Sequence, residues 1–338
     1  MQTTKNATEK SVVVASRRRF ISIGAATGLA SAAPWAFAQD GGYPKQPIRI
    51  VVPFAAGSGT DAVARIAGQM LGDALKGSVI VDNRAGANGV IAAEYVAKAA
   101  PDGYTLFMTT NTTHSANPSL MKSLPYDPVK DFAPVSRMGN LPFMLVVNND
   151  LPVKSVAELL AWGRAHPGKL TYASGNSTGI VSGATLSRMS GVPMLHVPYK
   201  STPQGVVDLI AGRVSMMFVD LTSGIEHVRA GKLRALATTR IKRSSLLPDL
   251  PTMDEAGVTG FDMDAWAGFV VPANTPPQVT ALLSKTMRPI IDDPQIKQTL
   301  GRVGFEAFSS SQQELADHIN VQLGKWKKMV TDAGIQPE

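Results

Sequence analysis

The sequence contains no cysteine among its 338 residues, only 6% of it is aromatic, and only 17% is charged. The absence of cysteine excludes a disulfide scaffold, a thiolate metal site, a cysteine nucleophile and a lipid-anchored lipoprotein. The five histidines show no HExxH or other paired spacing, so we expect no metal site. With 44% hydrophobic residues, 30 Gly and 23 Pro, the chain is neither collagenous nor disordered, and its length indicates about two domains.

The excess of positive charge lies mainly at the amino-terminal end. The whole chain has a net charge of +7 and a pI near 9.5, and a pI above about 9 is typical of nucleic-acid-binding domains. Five of the basic residues and one acidic residue lie in the first 38 positions, however. The remaining 28 basic and 25 acidic residues leave a net charge of only +3, so we expect no nucleic-acid partner.

The first 38 residues have the organisation of an export signal. Paired arginines in the segment Ser16–Ile21 precede a Gly/Ala-rich apolar run from Ile21 to Ala33, and Ala36-Phe37-Ala38 supplies an A-x-A cleavage site. The run is shorter than the roughly 20 apolar residues that a membrane span needs. We therefore predict a twin-arginine type signal over residues 1–38, cleavage near Ala38 and a periplasmic mature protein.

Short apolar runs alternate with amphipathic helices after Pro47. Strands are predicted at Ile48–Pro53, Val79–Val81 and Tyr104–Thr110, and the two segments between them have helical periodicity. The order is strand, helix, strand, helix, strand, which implies a parallel sheet covered by helices.

The same alternation restarts after Asn140. The further predicted strands are Phe143–Val147, Leu170–Ala173, Met194–Val197, Val214–Val219, Leu233–Thr238 and Trp266–Val271. One helix is predicted to begin at a Ser155 capping box, a second to follow the turn Ser174–Gly179 and run to about Ser190, and a third to begin at Thr202-Pro203. Further helices are predicted at Ile225–Ala230, Pro277–Ile291 and Gln313–Met329. We predict two α/β lobes, with residues 39–141 and 264–338 forming the first and residues 142–263, inserted into it, forming the second.

The turn after the first strand is compatible with a dinucleotide site. Gly57-x-Gly59-x-x-Ala62 lies between a strand and a helix, and Asp82 ends the next strand, as a nicotinamide-binding fingerprint requires. Against this interpretation, the segment Pro53–Ala56 stands before the first glycine, where the fingerprint requires the glycine to be at the strand end. An exported NAD-dependent oxidoreductase is one alternative function.

The turn Gly175-Asn176-Ser177-Thr178-Gly179 matches the G-x-S-x-G nucleophile elbow, again between a strand and a helix. Asp220 or Asp249 and the later His318 follow in the order that a catalytic triad would need. The pattern specifies only three positions, and no HGGG-like oxyanion segment precedes it. A serine hydrolase is the second alternative.

The two turns together suggest a third interpretation, an anion site without a formal positive charge. Each turn places free backbone N–H groups at a helix N-terminus, with Ser, Thr and Asn side chains around them. Ligands of open α/β sheets bind beyond the carboxyl ends of the strands, so two facing lobes would close on a small carboxylate. Asp220 ends a strand and is expected either to accept a hydrogen bond from a ligand amine or hydroxyl, or to cap the helix that starts near Thr222.

Many segments of the chain resemble the Bug family, the extracytoplasmic solute receptors of tripartite tricarboxylate transporters. The resemblance rests on Tyr43-Pro44, Ile48–Phe54, the turn to Asp61, Asp82–Gly86, Pro101–Tyr104, Asp127–Phe132, His196–Tyr199, Ala230–Ala237 and Pro248–Thr252. It implies a type II periplasmic-binding-protein fold, two α/β lobes joined by a hinge with the ligand cleft between them. It also implies that the loops Phe54–Asp61 and Ser174–Gly179 hold one carboxylate, partly through ordered water.

The two glycine turns and the resemblance to the Bug family together predict a receptor that is not an enzyme, needs no cofactor and acts as a monomer. The receptor is expected to deliver a small carboxylate to integral-membrane permease subunits. One departure concerns the second loop, because many members carry G-S-x-x-H there and this chain has no histidine at that place. The predicted ligand-binding residues are Phe54, Gly57, Ser58, Gly59, Thr60, Asp61, Asn111, Ser174, Asn176, Ser177, Thr178, Gly179 and Asp220.

Overall fold

The computed structural model describes residues 42–338, so the predicted signal over residues 1–38 lies outside the described residues. The described chain forms eleven strands in two sheets, with helices packed against both. None of its helices has the length and apolarity that a membrane crossing requires. The predicted fold of two α/β lobes is confirmed.

The first sheet has six strands in the order β11-β4-β10-β3-β1-β2. Its strands are β1 (Ile48–Val52), β2 (Val79–Asn83), β3 (Thr105–Thr110), β4 (Phe132–Leu141), β10 (Ala265–Pro272) and β11 (Glu306–Ala307). The helices of this lobe are α1 (Gly59–Leu75), α2 (Val90–Ala97), α3 (Asn117–Leu120), α8 (Pro277–Asp292), α9 (Pro294–Arg302) and α10 (Gln312–Asp332). The three strands of the predicted strand-helix repeat, β1, β2 and β3, pair in parallel.

The first sheet is mixed rather than wholly parallel, because β10 pairs antiparallel with both β3 and β4. Strand β4 was not predicted from the sequence. Its ten residues include Pro134 and Gly139, and its pairing with β10 contains two register shifts. An interrupted strand of this kind has no regular alternation of apolar and polar residues, which is the signal that identifies strands.

The second sheet has five strands in the order β7-β6-β8-β5-β9. Its strands are β5 (Phe143–Asn148), β6 (Thr171–Ser174), β7 (Leu195–Pro198), β8 (Met216–Asp220) and β9 (Leu233–Thr238), and its helices are α4 (Val156–Ala165), α5 (Ser177–Ser190), α6 (Thr202–Ile210) and α7 (Leu221–Arg229). β6 is parallel to β7 and β8, whereas β5 runs antiparallel to β8 and β9. Chain order alone could not distinguish these pairings.

The chain passes between the sheets at two places, from β4 to β5 and from β9 to β10. Leu141, Phe143, Met263 and Ala265 flank these crossings and are all buried. The carboxyl ends of β1, β3, β6 and β8 lie beside the crossings, so the loops after these strands are available to form a site between the two lobes.

Two helix starts differ from prediction by a few residues. Helix α6 has Ser201 at its N-cap, and Thr202 and Pro203 occupy its first turn. Helix α7 begins at Leu221 because Asp220 caps it, so the helix starts before the predicted Ile225. Both boundaries depend on cap geometry, to which sequence periodicity is insensitive.

Candidate functional site

The loops after β1, β3, β6 and β8 meet in a small cavity between the lobes. The cavity has a volume of about 20 Å³, which is room for about one water molecule. It is lined by Phe54, Ser58, Gly59, Thr60, Thr110, Asn111, Thr112, Leu141, Phe143, Asn176, Thr178, Thr202, Asp220 and Ala265. The lobes are therefore in a closed arrangement in this structure.

Eight of the thirteen predicted ligand-binding residues line this cavity: Phe54, Ser58, Gly59, Thr60, Asn111, Asn176, Thr178 and Asp220. The other five, Gly57, Asp61, Ser174, Ser177 and Gly179, belong to the same loops but do not line it. The predicted ligand-binding residues did not include Thr110, Thr112, Leu141, Phe143, Thr202 or Ala265, which also line the cavity. Thr110 and Thr112 adjoin Asn111 at a strand end and were accessible to the same reasoning. Thr202 lies in the first turn of α6, and Leu141, Phe143 and Ala265 join the site only through the crossings.

The loop before α1 is held by its own hydrogen bonds. Ser58 is the N-cap of α1 and its Oγ accepts from the Asp61 N–H at 3.3 Å. Asp61 in turn accepts from the Gly57 N–H at 2.9 Å and pairs with Arg65 at 2.9 Å. The Asp61 side chain thus shapes the loop from behind and does not face the cavity.

Burial acts to raise the pKa of the Asp61 carboxyl, but hydrogen bonds from Arg65, the Gly57 N–H and Asn83 outweigh burial and hold that pKa below its usual value. Asp61 is therefore ionised at neutral pH. Its negative charge lies in the first turn of α1, where it stabilises the helix by interacting with the helix dipole.

The loop before α5 keeps two N–H groups available. Asn176 is the N-cap, with Oδ1 accepting from the Gly179 N–H at 3.0 Å and Nδ2 donating to Thr202 Oγ1 at 3.2 Å. The N–H groups of Ser177 and Thr178, in the first turn, have no partner within the helix. Thr178 lines the cavity, and Ser177 precedes it in the chain.

Side chains of the two lobes contact each other directly beside the cavity. Asn111 Nδ2 donates to Thr178 Oγ1 at 2.9 Å and lies 3.4 Å from Ser177 Oγ, and the hydroxyls of Thr112 and Ser177 are 2.8 Å apart. Thr112 opens a short π-helical turn, Thr112–Ala116, a feature that is frequent at functional sites.

Two serines of the second lobe, which the sequence analysis missed, bind the loop of the first. The Ala55 N–H donates to Ser201 Oγ at 3.1 Å, and the Gly59 N–H donates to Ser223 Oγ at 2.9 Å. Two of the backbone donors of the first loop are therefore occupied by the opposite lobe in the closed arrangement. No sequence motif identifies these serines.

Asp220 fulfils the predicted capping role and also lines the cavity. Its Oδ1 accepts from the Ser223 N–H at 2.8 Å and its Oδ2 accepts from Ser223 Oγ at 3.1 Å. The residue is only 4% exposed, and this burial raises the pKa of its carboxyl above the usual value. It is the single ionisable residue among those that line the cavity.

No histidine is found among the described residues that line the cavity. His196 lies outside the cavity, with Nε2 2.6 Å from Ser174 Oγ and its ring stacked on Tyr172. His114 is fully buried against Phe107 and Phe132, and burial lowers its pKa to about 3. Within residues 42–338, no group of three or more His, Asp or Glu side chains is placed to hold a metal ion.

The chain matches the family described as "Tripartite tricarboxylate transporter family receptor" over residues 63–335. It is 36% identical over 293 residues to the UPF0065 protein in the tcbD-tcbE intergenic region of Pseudomonas sp. (strain P51), covering 86% of this chain and 87% of that protein. It is 33% identical over 296 residues to protein BugT of Bordetella pertussis, covering 86% of this chain and 90% of BugT.

Solved structures with the same fold include R. palustris Rpa4515 with adipate. Its TM-score is 0.86 and its sequence identity 35%, and the match covers 88% of this chain and 100% of Rpa4515. The periplasmic binding protein BugD gives a TM-score of 0.83 at 32% identity, with 88% and 100% covered. MatC (Rpa3494) from Rhodopseudomonas palustris with bound malate gives 0.80 at 30% identity, with 85% and 100% covered. These similarities confirm the predicted periplasmic-binding-protein fold.

Proposed function

This chain belongs to the family of tripartite tricarboxylate transporter receptors, to which the Bug proteins also belong, and from that membership we propose that it is a periplasmic receptor that binds a small carboxylate without catalysing a reaction. Two relatives of known structure hold such ligands, adipate in Rpa4515 and malate in MatC. Delivery to integral-membrane permease subunits, action as a monomer, and export through the signal over residues 1–38 with cleavage near Ala38 are parts of the same proposal.

The observation that carries the proposal is the meeting of two helix starts, one from each lobe, at one cavity. The N–H groups of Thr60, Ser177 and Thr178 belong to the first turns of α1 and α5, where the helix leaves them without an internal partner, and Thr60 and Thr178 line the cavity together with hydroxyl and amide side chains. An anion is stabilised at such helix starts by the unpaired N–H groups and by the helix dipole.

Lobe closure is the proposed mechanism, with the two crossings as the hinge and residues 39–141 plus 264–338 moving against residues 142–263. A cavity of about 20 Å³ cannot hold a carboxylic acid, so the lobes must separate for the ligand to enter, and the side chains of the cavity wall must rearrange around the ligand when the lobes close again. Hinge motion of this kind is a common response to ligands in two-lobed receptors. The hydrogen bonds of Asn111, Thr112, Ser201 and Ser223 then become the contacts that form on closure.

The hydrogen-bond donors of such a site are numerous enough for micromolar affinity. Micromolar affinity needs about 8 kcal/mol. Hydrogen bonds to a charged group contribute about 1.5 to 3 kcal/mol each, and a helix end adds roughly 0.3 to 1 kcal/mol. Three free N–H groups with two or three hydroxyl or amide donors therefore suffice if closure orders little else.

The NAD alternative finds little support in the geometry of the first loop. The Gly59 N–H, which a pyrophosphate would need, donates to Ser223 of the other lobe. Asp82, which would bind a ribose, instead pairs with Arg49 at 3.1 Å and Arg84 at 3.0 Å.

The first prediction concerns ligand class. In a thermal-shift screen of the purified protein, we expect at least one acid among malate, succinate, adipate, glutamate and benzoate to raise the unfolding midpoint by about 5 to 10 °C at saturating concentration, because a ligand that binds only the folded state stabilises it. NAD serves as the comparison compound. A clear shift with NAD and none with any carboxylate would contradict the proposal.

The second prediction separates binding from hydrolysis. Ser177→Ala removes a hydroxyl that contacts Thr112 across the lobes, so ligand affinity should fall by about 2- to 10-fold. Neither wild type nor variant should hydrolyse an activated ester. Ser187→Ala is the matched control, since its hydroxyl donates within the second lobe to the Val192 carbonyl and its loss should leave affinity unchanged. Covalent labelling of Ser177 by a fluorophosphonate would overturn the assignment.

A further inference from the structure

We infer that the ligand is a small carboxylic acid that also carries a hydrogen-bond donor, a hydroxyl or ammonium group, and that Asp220 is the residue that selects for it. This inference rests on the proposed function and specifies the substrate class of the same site. It distinguishes a hydroxy or amino acid from an unsubstituted acid of the same length.

Within the described chain, the wall of the cavity contains one acidic side chain and is otherwise uncharged. Of residues 42–338, fourteen line the cavity, and Asp220 is the single ionisable residue among these fourteen. Burial raises the pKa of the Asp220 carboxyl, but the two hydrogen bonds that Ser223 donates favour its ionised form, and a ligand carboxylate that enters this space then brings a second negative charge beside it. Like charges in a buried space are unfavourable unless a donor lies between them.

Asp220 lies next to the first residue of helix α1. Its Oδ1 approaches the start of α1 so closely that a Cβ built on Gly59 would lie 2.2 Å from it. Gly59 is the first residue of α1, where the ligand carboxylate is proposed to bind. The Asp220 carboxylate and the ligand carboxylate would therefore be neighbours across the closed cleft.

The Asp220 carboxylate can accept more hydrogen bonds than Ser223 donates to it. An ionised carboxylate accepts about four hydrogen bonds. Ser223 supplies two of them, through its N–H and its hydroxyl. The other acceptor positions belong to a residue that lines the cavity and is only 4% exposed, so a donor on the ligand is the group that satisfies them.

Capping of α7 also explains why Asp220 is acidic, and the test must separate the two roles. Asn caps helices about as well as Asp, so Asp220→Asn keeps the cap and removes the charge. Asp220→Ser is a second cap-preserving variant with a shorter side chain. Asp293→Asn is the matched control, because Asp293 is an exposed N-cap, of α9, outside the cavity.

Isothermal titration calorimetry is carried out with matched acids: succinate, malate and aspartate; glutarate, 2-hydroxyglutarate and glutamate; adipate, 2-hydroxyadipate and 2-aminoadipate. In wild type, and in Asp293→Asn, the best donor-bearing acid should bind at least about 10-fold more tightly than its unsubstituted partner, the ratio expected for one hydrogen bond to a charged group. In Asp220→Asn and Asp220→Ser that ratio should fall below about 3-fold, with the unsubstituted acid gaining affinity.

Binding of unsubstituted and donor-bearing acids within about 3-fold in wild type would overturn the inference and leave the proposed function standing. A preference that survives both Asp220 variants would overturn the role of Asp220. Absence of binding by every acid, in protein that unfolds cooperatively, would overturn the proposed function and the inference together.

Discussion

A Gly59→Ala variant is expected to bind its carboxylate ligand about 10- to 100-fold more weakly than the wild type while folding normally. A Cβ at this position would lie 2.2 Å from Asp220 Oδ1, 2.9 Å from Asp220 Cγ and 3.1 Å from Thr222 Cβ. Gly59 belongs to the first lobe and these atoms to the second. The clash therefore exists only when the lobes are together, as the closure mechanism requires for ligand capture.

The magnitude follows from the cost of overpacking. An extra methyl group in a packed site costs about 1 to 3 kcal/mol, which corresponds to roughly 5- to 150-fold in a binding constant. Ser223 holds the Asp220 carboxylate at both oxygens, so that carboxylate cannot move away freely. In the separated lobe, Ala at the first position of α1 is as good a helix residue as Gly or better.

The measurement is calorimetry with the best acid from the screen, combined with small-angle X-ray scattering to follow closure. Gly324→Ala is the matched control, because Gly324 lies in α10 and a Cβ there meets no atom within 4 Å. Its affinity should equal that of the wild type. Wild-type affinity in Gly59→Ala would show that closure does not bring Gly59 against Asp220.

A Gly175→Ala variant is expected to lose roughly 3 kcal/mol of unfolding free energy, whereas Gly59→Ala is expected to fold normally. A Cβ at Gly175 would lie 2.2 Å from the Thr202 nitrogen and 2.4 Å from the Ser201 carbonyl carbon. Both atoms are backbone atoms of the same lobe, so the clash is present whether the lobes are open or closed. Relief requires the loop before α5 to move away from the start of α6, and such shifts lie at the upper end of overpacking costs.

Urea unfolding followed by circular dichroism measures this loss, again with Gly324→Ala as the control. The expected result is a lower midpoint with an unchanged slope, since a stability change alone does not alter the slope. A Gly175→Ala protein as stable as the wild type would contradict the close approach of the two loops. Comparing the variants separates contacts made on closure from contacts made on folding.

Local signals in the sequence were sufficient for most elements and for the loops that form the site. The apolar run Ile48–Val52 and the Ser58 cap predicted β1 and the start of α1, because each depends on neighbouring residues only. The strand β4 was missed because Pro134, Gly139 and two register shifts interrupt its periodicity. Its place between β10 and β11 is decided by long-range pairing.

The ligand contacts of the two loops stay a prediction, and the structure adds which residues of the loops line the cavity. Gly57 and Asp61 do not line it and are joined by a hydrogen bond within the turn. Turn composition identifies a loop that can bind an anion, but it does not say which N–H groups the protein uses for itself. That distinction depends on the side chains that pack against the loop.

The sequence by itself determined the two-lobed α/β fold, the receptor family and the loops Phe54–Asp61 and Ser174–Gly179, because strand periodicity, helix caps and turn motifs are written in consecutive residues. Only the tertiary structure decided that Ser201 and Ser223 bind the first loop and that Asp220 approaches Gly59. The paired residues stand 146 and 164 positions apart in the chain. Contacts at such separations arise from the packing of one lobe on the other, and no local pattern encodes them.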